Sequence, residues 1–456
     1  MSTTPAAAGG GEQPPRAFDH VPAGRSGSPG PPEVEDVAAL VADANAIVDS
    51  RRLDTLFQPV VHLATSEVVG FEALTRGPAG SDLESPVRLL HAAELAGRLA
   101  ELDWICATNA YTAAVAADLH PSMTVFLNFH PATLLLPCPT DLFASARRTL
   151  DRLRVMVETK ESELTSEPNR LFEALRLVRD VGWGVAMDNA TASPAALALL
   201  PLVRPDVLKL DLRGLREKLP AVAELADGAR IYSEQAGATI LAQGIEEPED
   251  LMVASLAGAT YGQGWLFGRP GPLPATRTNP HAVFPLLPEP IADDAKTPFE
   301  IVSEERVPTP IEKRYLVPLC RYLEDKVDSN GPAAVLFLGF EPGSHLGPSA
   351  RERLHHLIER AEFTIVSGPS IHELAEPGSR ARFGVVDPGN PASREWITAL
   401  LGPHYAAALV ARSLDGDTSG PYRRLEYVLT HDRDVVLRVA SSLMQRIGPG
   451  GSSEVT

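Results

Sequence analysis

Short apolar runs alternate with longer amphipathic stretches through most of the first 260 residues of the chain. The runs at 56–62, 68–74, 124–129, 155–159, 184–187, 207–210 and 239–242 have the length and β-branched content of buried strands. The stretches at 87–117, 139–153, 169–181, 215–236 and 249–256 have helical spacing. Strand and helix alternating through short turns predict parallel strands with helical crossovers. About eight such units over roughly 240 residues fit a (β/α)8 TIM-like barrel in count and size. A doubly wound open sheet is the alternative. It usually carries a Gly-rich phosphate loop after an early strand, and neither GxGxxG nor a Walker-type loop occurs here.

The barrel is expected over residues 34–276. Residues 1–33 are dominated by Pro, Gly, Ala and Ser. Such a segment buries too little apolar surface to offset its ordering entropy, so a disordered tail is expected. Residues 277–296 are Pro-rich and read as a linker. A smaller mixed α/β domain is expected over 297–447, with strands at 333–337, 363–366, 382–386 and 396–401. Helices are expected there at 349–361 and 435–446. Residues 448–456 read as a second disordered tail.

The chain carries 41 Lys and Arg against 59 Asp and Glu, a net charge of −18. That balance argues against a general nucleic-acid polymer as partner and against docking on an anionic membrane. No run approaches the ~18 apolar residues of a membrane span, and no signal peptide is visible. Cys106, Cys138 and Cys320 are odd in number and widely spaced. They read as structural thiols in a reducing cytoplasm.

The apolar runs repeatedly end in polar residues: Glu72, Asn128, Glu158, Asp188, Lys209, Asp211, Gln243 and Gln263. In a β/α barrel these positions form the active-site face. One strand-end acid is usually a helix cap or a solvated loop residue. A series of this length points to a polar cleft. Oxygen ligands without Cys or His favour Mg²⁺, Mn²⁺ or Ca²⁺ over zinc. Carboxylates holding such a cation beside Lys209 fit metal-assisted hydrolysis of a phosphodiester.

These residues also carry a family resemblance. Phe71-Glu72-Ala73-Leu74-Thr75-Arg76 resembles the signature of EAL domains, bacterial phosphodiesterases that linearise cyclic di-GMP. In order follow Phe126-Leu127-Asn128, Val157-Glu158-Thr159-Lys160-Glu161, Leu208-Lys209-Leu210-Asp211 and Gln263-Gly264-Trp265-Leu266-Phe267-Gly268-Arg269-Pro270. Gln58-Pro59 fits the first strand. The resemblance covers about residues 36–276. It implies that Glu72, Asn128, Glu158 and Asp188 hold a first Mg²⁺ or Mn²⁺, and that Lys209 orients the attacking water. It implies that Gln58, Arg76 and Gln263 contact the dinucleotide, and that Glu246 and Glu161 support neighbouring loops. A homodimer and a protein partner are compatible with it.

Two departures bear on activity. The family has two adjacent aspartates followed by a Gly-containing loop, whereas this chain reads Asp188-Asn189-Ala190-Thr191-Ala192-Ser193. The family has Ala-Glu-Gly-Val-Glu, and this chain has Ala242-Gln243-Gly244-Ile245-Glu246. In the family both altered positions serve a second metal. Neutral amides bind Mg²⁺ far less well than carboxylates. The resemblance therefore implies a degenerate domain that binds cyclic di-GMP with little or no hydrolysis. An active phosphodiesterase giving linear pGpG and a nucleotide-independent scaffold are the alternatives.

The second domain offers little chemistry. His355 and His356 are adjacent on an expected helix and point in different directions. His431-Asp432 lacks the further histidines of an HD-type hydrolase, and a helix N-cap at Thr430 or Asp434 explains it more simply. Cys320 lies in an apolar stretch and reads as buried. Three segments resemble the DICT domain, a sensory module: Thr297-Pro298-Phe299-Glu300-Ile301-Val302-Ser303, the run from Gly402 to Arg412, and Tyr427-Val428-Leu429-Thr430-His431-Asp432.

Overall fold

The computed structural model describes residues 34–445, apart from 147–152, 167, 191–193, 214–217, 275–278, 288–295, 328–333, 342–346, 369–370, 372–380, 385, 387–388, 403 and 415–419. Both expected tails lie outside the described residues, as do the end of the expected helix at 139–153 and half of the expected linker.

Eight strands close into a barrel in sequence order. They are β1 (Asp54–His62), β2 (Glu67–Arg76), β3 (Thr124–Asn128), β4 (Arg154–Lys160), β5 (Gly184–Asp188), β6 (Val207–Asp211), β7 (Thr239–Gln243) and β8 (Tyr261–Gln263). Around them stand α1 (Val34–Ser50), α2 (Pro86–Leu95), α3 (Leu99–Ala116), α4 (Pro131–Leu134) and α5 (Thr140–Ala146). The ring continues with α6 (Glu163–Ser166), α7 (Pro168–Asp180), α8 (Pro194–Val203), α9 (Leu219–Ala236) and α10 (Asp250–Leu256). The barrel expected from the alternation is therefore present.

Two local expectations need correction. β2 to β8 are mutually parallel, but β1 runs antiparallel to both β2 and β8. Only residues 63–66 separate β1 from β2. A parallel crossover needs a dozen or more residues, so the chain turns back as a hairpin. The single helix expected at 87–117 is two. Gly97 adopts φ 66°, a left-handed conformation that stops α2 one residue before Arg98 caps α3.

The barrel interior is filled by Val60, Val69, Phe126, Met156, Ala186, Val207, Leu241 and Tyr261. Phe284 completes this cluster and is 1% exposed. Its ring stands edge-on to Phe126 at 5.2 Å and lies 4.1 Å from Tyr261. Its carbonyl accepts from Arg154 Nη2 at 2.7 Å. Arg154 and Tyr261 open their strands, so Phe284 plugs the floor of the barrel, opposite the strand ends. Phe284, inside the stretch expected to be linker, is thus part of the barrel core, with Ala282 packed against it.

The second domain is a seven-stranded sheet of order β12-β11-β10-β13-β14-β15-β9. Its strands are β9 (Thr309–Glu312), β10 (Val335–Gly339), β11 (Phe363–Ser367), β12 (Ala381–Gly384), β13 (Glu395–Leu401), β14 (Ala406–Ser413) and β15 (Arg424–Thr430). It is mixed: β10, β11 and β12 are parallel and the remaining pairs antiparallel. Its helices are α11 (Pro298–Glu305), α12 (Lys313–Glu324), α13 (Pro348–Arg360) and α14 (Arg433–Met444). Thr297 and Glu300 form a reciprocal capping box on α11. The cap of α14 is Asp432, not Thr430 or Asp434. Its carboxylate accepts from the N–H groups of Asp434 and Val435, while Thr430 Oγ1 accepts from Asp432 N at 3.1 Å. α14 and β10 pack against α8 of the barrel. Among the described residues, no helix is long and apolar enough to cross a membrane.

Candidate functional site

Side chains alternate along a strand, so every second residue points into the barrel. On β6 these are Val207, Lys209 and Asp211, with Val207 in the apolar layer and Lys209 one step nearer the mouth. Lys209 is fully buried. Its ammonium donates to Glu72 Oε2 at 3.0 Å and to Glu158 Oε1, and lies 3.5 Å from Asp188 Oδ1. Strands β2, β4, β5 and β6 thereby deliver three carboxylates to one cation.

Amides close the arrangement. Gln263 Nε2 donates to Glu72 Oε2 at 2.8 Å and to Gln58 Oε1 at 3.3 Å. Asn128 Nδ2 donates to Glu72 Oε1 at 3.3 Å, and Gln58 Nε2 donates to the Gly268 carbonyl at 3.2 Å. Gln58, Glu72, Asn128, Glu158, Asp188, Lys209 and Gln263 are therefore one connected network.

Burial and charge act against each other in it. Burial opposes the Lys209 charge, but Glu158, Glu72 and Asp188 outweigh it and hold the ammonium above its ordinary range. Burial also raises Glu72, yet Lys209 and the hydrogen bonds from Gln263 and Asn128 leave it below the usual carboxylate range. Glu158 goes the other way. Burial and the neighbouring Glu72 charge push it well above that range, despite Lys209. One ammonium does not balance three carboxylates, and of the two buried glutamates Glu158 holds a proton more readily than Glu72.

Glu158 Oε2, Asp188 Oδ1 and Gln263 Oε1 are buried without a hydrogen-bond partner. These hard oxygens suit Mg²⁺, Mn²⁺ or Ca²⁺. Among the described residues, however, no three His, Cys, Asp or Glu side chains already form a metal cage. The Lys209 ammonium stands where the carboxylates converge. The donor chemistry fits one hard cation, and the side chains must close on it.

Arg76 and Glu246 stay outside the network. Arg76 ends β2, donates to its neighbour's carbonyl at 2.9 Å, and borders a 460 Å³ rim cavity with Asp82 and Arg88. Glu246 is exposed. Its backbone N–H, not its carboxylate, is fixed, by Asp250 Oδ2 at 2.9 Å. Asn189 and Gln243 both stand at the mouth. Asn189 adopts φ 51° and donates its amide to Asp188 Oδ2 at 2.9 Å.

A cleft of about 490 Å³ opens beside Asn128, Glu158 and Asp188 and is also lined by Asp103, His130, Lys160 and Glu163. Sequence reasoning did not single out Asp103 or Glu163. Asp103 Oδ2 accepts from His130 N at 3.1 Å and Thr133 Oγ1 at 2.8 Å, anchoring α4. Glu163 accepts from Thr159 Oγ1 and from Lys160 N at the end of β4. A lone acid in the apolar run Leu102–Ile105 is the available signal for Asp103; Glu163 has none.

A family model for the EAL domain matches residues 42–270, half of the chain. An uncharacterized protein, y4lL, of Sinorhizobium fredii is 29% identical over 236 residues, 49% of this chain and 27% of that protein. The cyclic di-GMP phosphodiesterase RocR of Pseudomonas aeruginosa is 26% identical over 250 residues, 53% of this chain and 64% of that protein. Klebsiella pneumoniae BlrP1, solved in a manganese/cy-diGMP complex, is 27% identical with a TM-score of 0.42, over 48% of this chain and 56% of that one. The chain spans about a third of the length of the first curated relatives it matches. The matched residues contain all eight barrel strands and every member of the Lys209 network, and by that match the chain belongs to the EAL domain family.

Proposed function

We propose that this chain is a cyclic di-GMP signalling protein whose barrel binds the dinucleotide with little or no hydrolysis. One observation carries this reading. Asp188 Oδ2 is already engaged by the Asn189 amide, and the facing strand end carries the neutral Gln243. A two-metal mechanism clamps the attacking and the leaving oxygen of an in-line displacement. Without an acidic pair at 189 and 243, the second cation lacks ligands. Losing it costs several kcal/mol of transition-state stabilisation, and each ~1.4 kcal/mol is tenfold in rate. Ground-state binding does not depend on that term.

In this reading Glu72, Asn128, Glu158 and Asp188 hold one Mg²⁺ or Mn²⁺, which supplies charge neutralisation for a phosphate. Lys209 keeps the carboxylates oriented and stands ready to position a water. Gln58, Gln263 and Arg76 contact the ligand. Residues 297–447 act as a DICT-like sensory domain that signals through a protein partner. The packing of α14 and β10 on α8 supports the coupling, because α8 follows the Asp188 strand.

The test is titration of the full chain with cyclic di-GMP in Mg²⁺ and in Mn²⁺, with linear pGpG followed in the same samples. Binding without turnover is expected. Turnover at ordinary enzyme rates identifies an active phosphodiesterase instead, and no binding at high micromolar ligand identifies a scaffold. Asn189→Asp with Gln243→Glu is expected to gain hydrolysis.

A further inference from the structure

Among the described residues, the cations at the barrel mouth are few and widely placed. On one side Glu72, Glu158 and Asp188 outnumber Lys209. An anion meets repulsion there unless a metal ion is bound first. On the other side Asn189, just past β5, and Gln243, the end of β7, are neutral, and the acids Asp211 and Glu246 stand near them. The loop after β6 adds a guanidinium, Arg213.

Two features hold Arg213 in place. It folds back onto Asp211, the last residue of β6, which lies in register with Gln243 on β7. Its backbone N–H donates to Asp211 Oδ1 at 3.0 Å, Nε to both oxygens at 2.9 and 3.0 Å, and Nη2 to Oδ2 at 2.5 Å. Its stem lies over Gly244, whose φ is 75°. A Cβ there would stand 2.4 Å from Arg213 Cγ. Despite these constraints, 67% of the side chain is exposed. It follows β6, whose neighbours in the barrel are β5 and β7, and Asp188 and Glu246 both act on it electrostatically.

We propose that Arg213 is a phosphate-binding residue that serves as a built-in cation on the side of the mouth that cannot hold a second metal. The inference rests on the reading that the barrel takes cyclic di-GMP. That ligand has two phosphodiester groups, each with one negative charge. The Lys209 side receives one of them through its metal. Arg213 receives the other directly. A guanidinium presents several N–H donors in a planar fork and keeps its charge at every working pH. Nε and Nη2 grip Asp211, and the remaining edge is the one a phosphate oxygen approaches. Orientation by Asp211 reduces the side-chain entropy lost on binding. A solvated surface ion pair is the competing account, and it predicts no effect on ligand.

The test uses the full chain and cyclic di-GMP, with affinity measured in Mg²⁺ and again in a chelator. Arg213→Gln keeps an aliphatic stem over Gly244 and removes the charge, so thermal unfolding should be unchanged. Its affinity should fall about 10-fold, the size of a lost hydrogen bond to a charged group. Its salt dependence should be shallower than that of the unmodified chain, and Arg213→Lys should recover part of the loss. Affinity within twofold of the unmodified chain in Arg213→Gln, with the same salt slope, overturns the proposal. Should the unmodified chain itself fail to bind, the functional reading falls and this inference falls with it. That outcome is distinct from a bound ligand that ignores Arg213.

Discussion

Lys209 Nζ lies 3.0 Å from Glu72 Oε2, joining β6 to β2 across the interior of the barrel. The pair is buried, and two further carboxylates share the ammonium. Removing one partner of a buried ion pair typically costs about 3–5 kcal/mol, because the other charge is left uncompensated. Lys209→Met should therefore lower stability at neutral pH by an amount of that order. A divalent cation can occupy the vacated centre, so Mn²⁺ should raise the variant's melting temperature more than that of the unmodified chain. Thermal unfolding with and without Mn²⁺ checks both, and a variant as stable as the unmodified chain would refute the account.

Asp103 sets a pH dependence. Burial pushes its carboxyl from 3.8 up to about 6, against the hydrogen bonds from Thr133 and His130 N. The folded chain thus binds this proton more tightly than the unfolded one. The resulting stabilisation is fully present below the unfolded value and is lost as pH rises through about 6. The shift corresponds to roughly 3 kcal/mol. Asp103→Asn carries no such charge, so it should gain stability relative to the unmodified chain by up to that amount between pH 4 and pH 8. A stability difference that stays constant across the window would contradict this.

Phe284 makes the Pro-rich segment part of the barrel. Phe284→Ala removes a fully buried ring between Phe126 and Tyr261. Such truncations cost about 3–5 kcal/mol. Denaturant unfolding of the barrel, followed by far-ultraviolet circular dichroism, measures the loss. A change under ~1 kcal/mol would mean that the floor closes without the ring.

The cysteines should separate by reactivity. Burial pushes the thiols of Cys106 and Cys320 up to about 12, while Cys138 is raised by burial and by Asp141. Thiolate is the reactive species. At pH 8 the native chain should show one faster thiol, Cys138, when alkylation is followed by mass spectrometry of peptides. Equal labelling of all three would count against the packing around Cys320.

Much of the site is legible because barrel strands are short and buried. Glu72, Asn128, Glu158, Asp188, Lys209 and Gln263 each interrupt or end an apolar run, and the period of two carries Lys209 and Asp211 to the same side. Residues positioned by tertiary contacts are not legible in this way. Arg213 lies beyond the strand, where its direction depends on Asp211 and on a glycine of the next strand's loop. Phe284 sits among prolines that signal irregular backbone and say nothing about burial. The break at Gly97 is hidden by continuous helical spacing on either side of it. The inversion of β1 depends on the length of the turn at 63–66, a feature that apolar periodicity does not register.

That inversion also decides how the barrel is attached to its surroundings. Asp54 pairs with Arg76, so β1 begins at the mouth and descends. α1, which leads into β1 through residues 51–53, therefore ends on the ligand-facing pole. The segment leading to the second domain leaves from the opposite pole, past Phe284 and Leu287. The two flanks of the barrel thus report on different faces. A probe at the end of α1 senses arrivals at the rim, and one at Leu287 senses the floor.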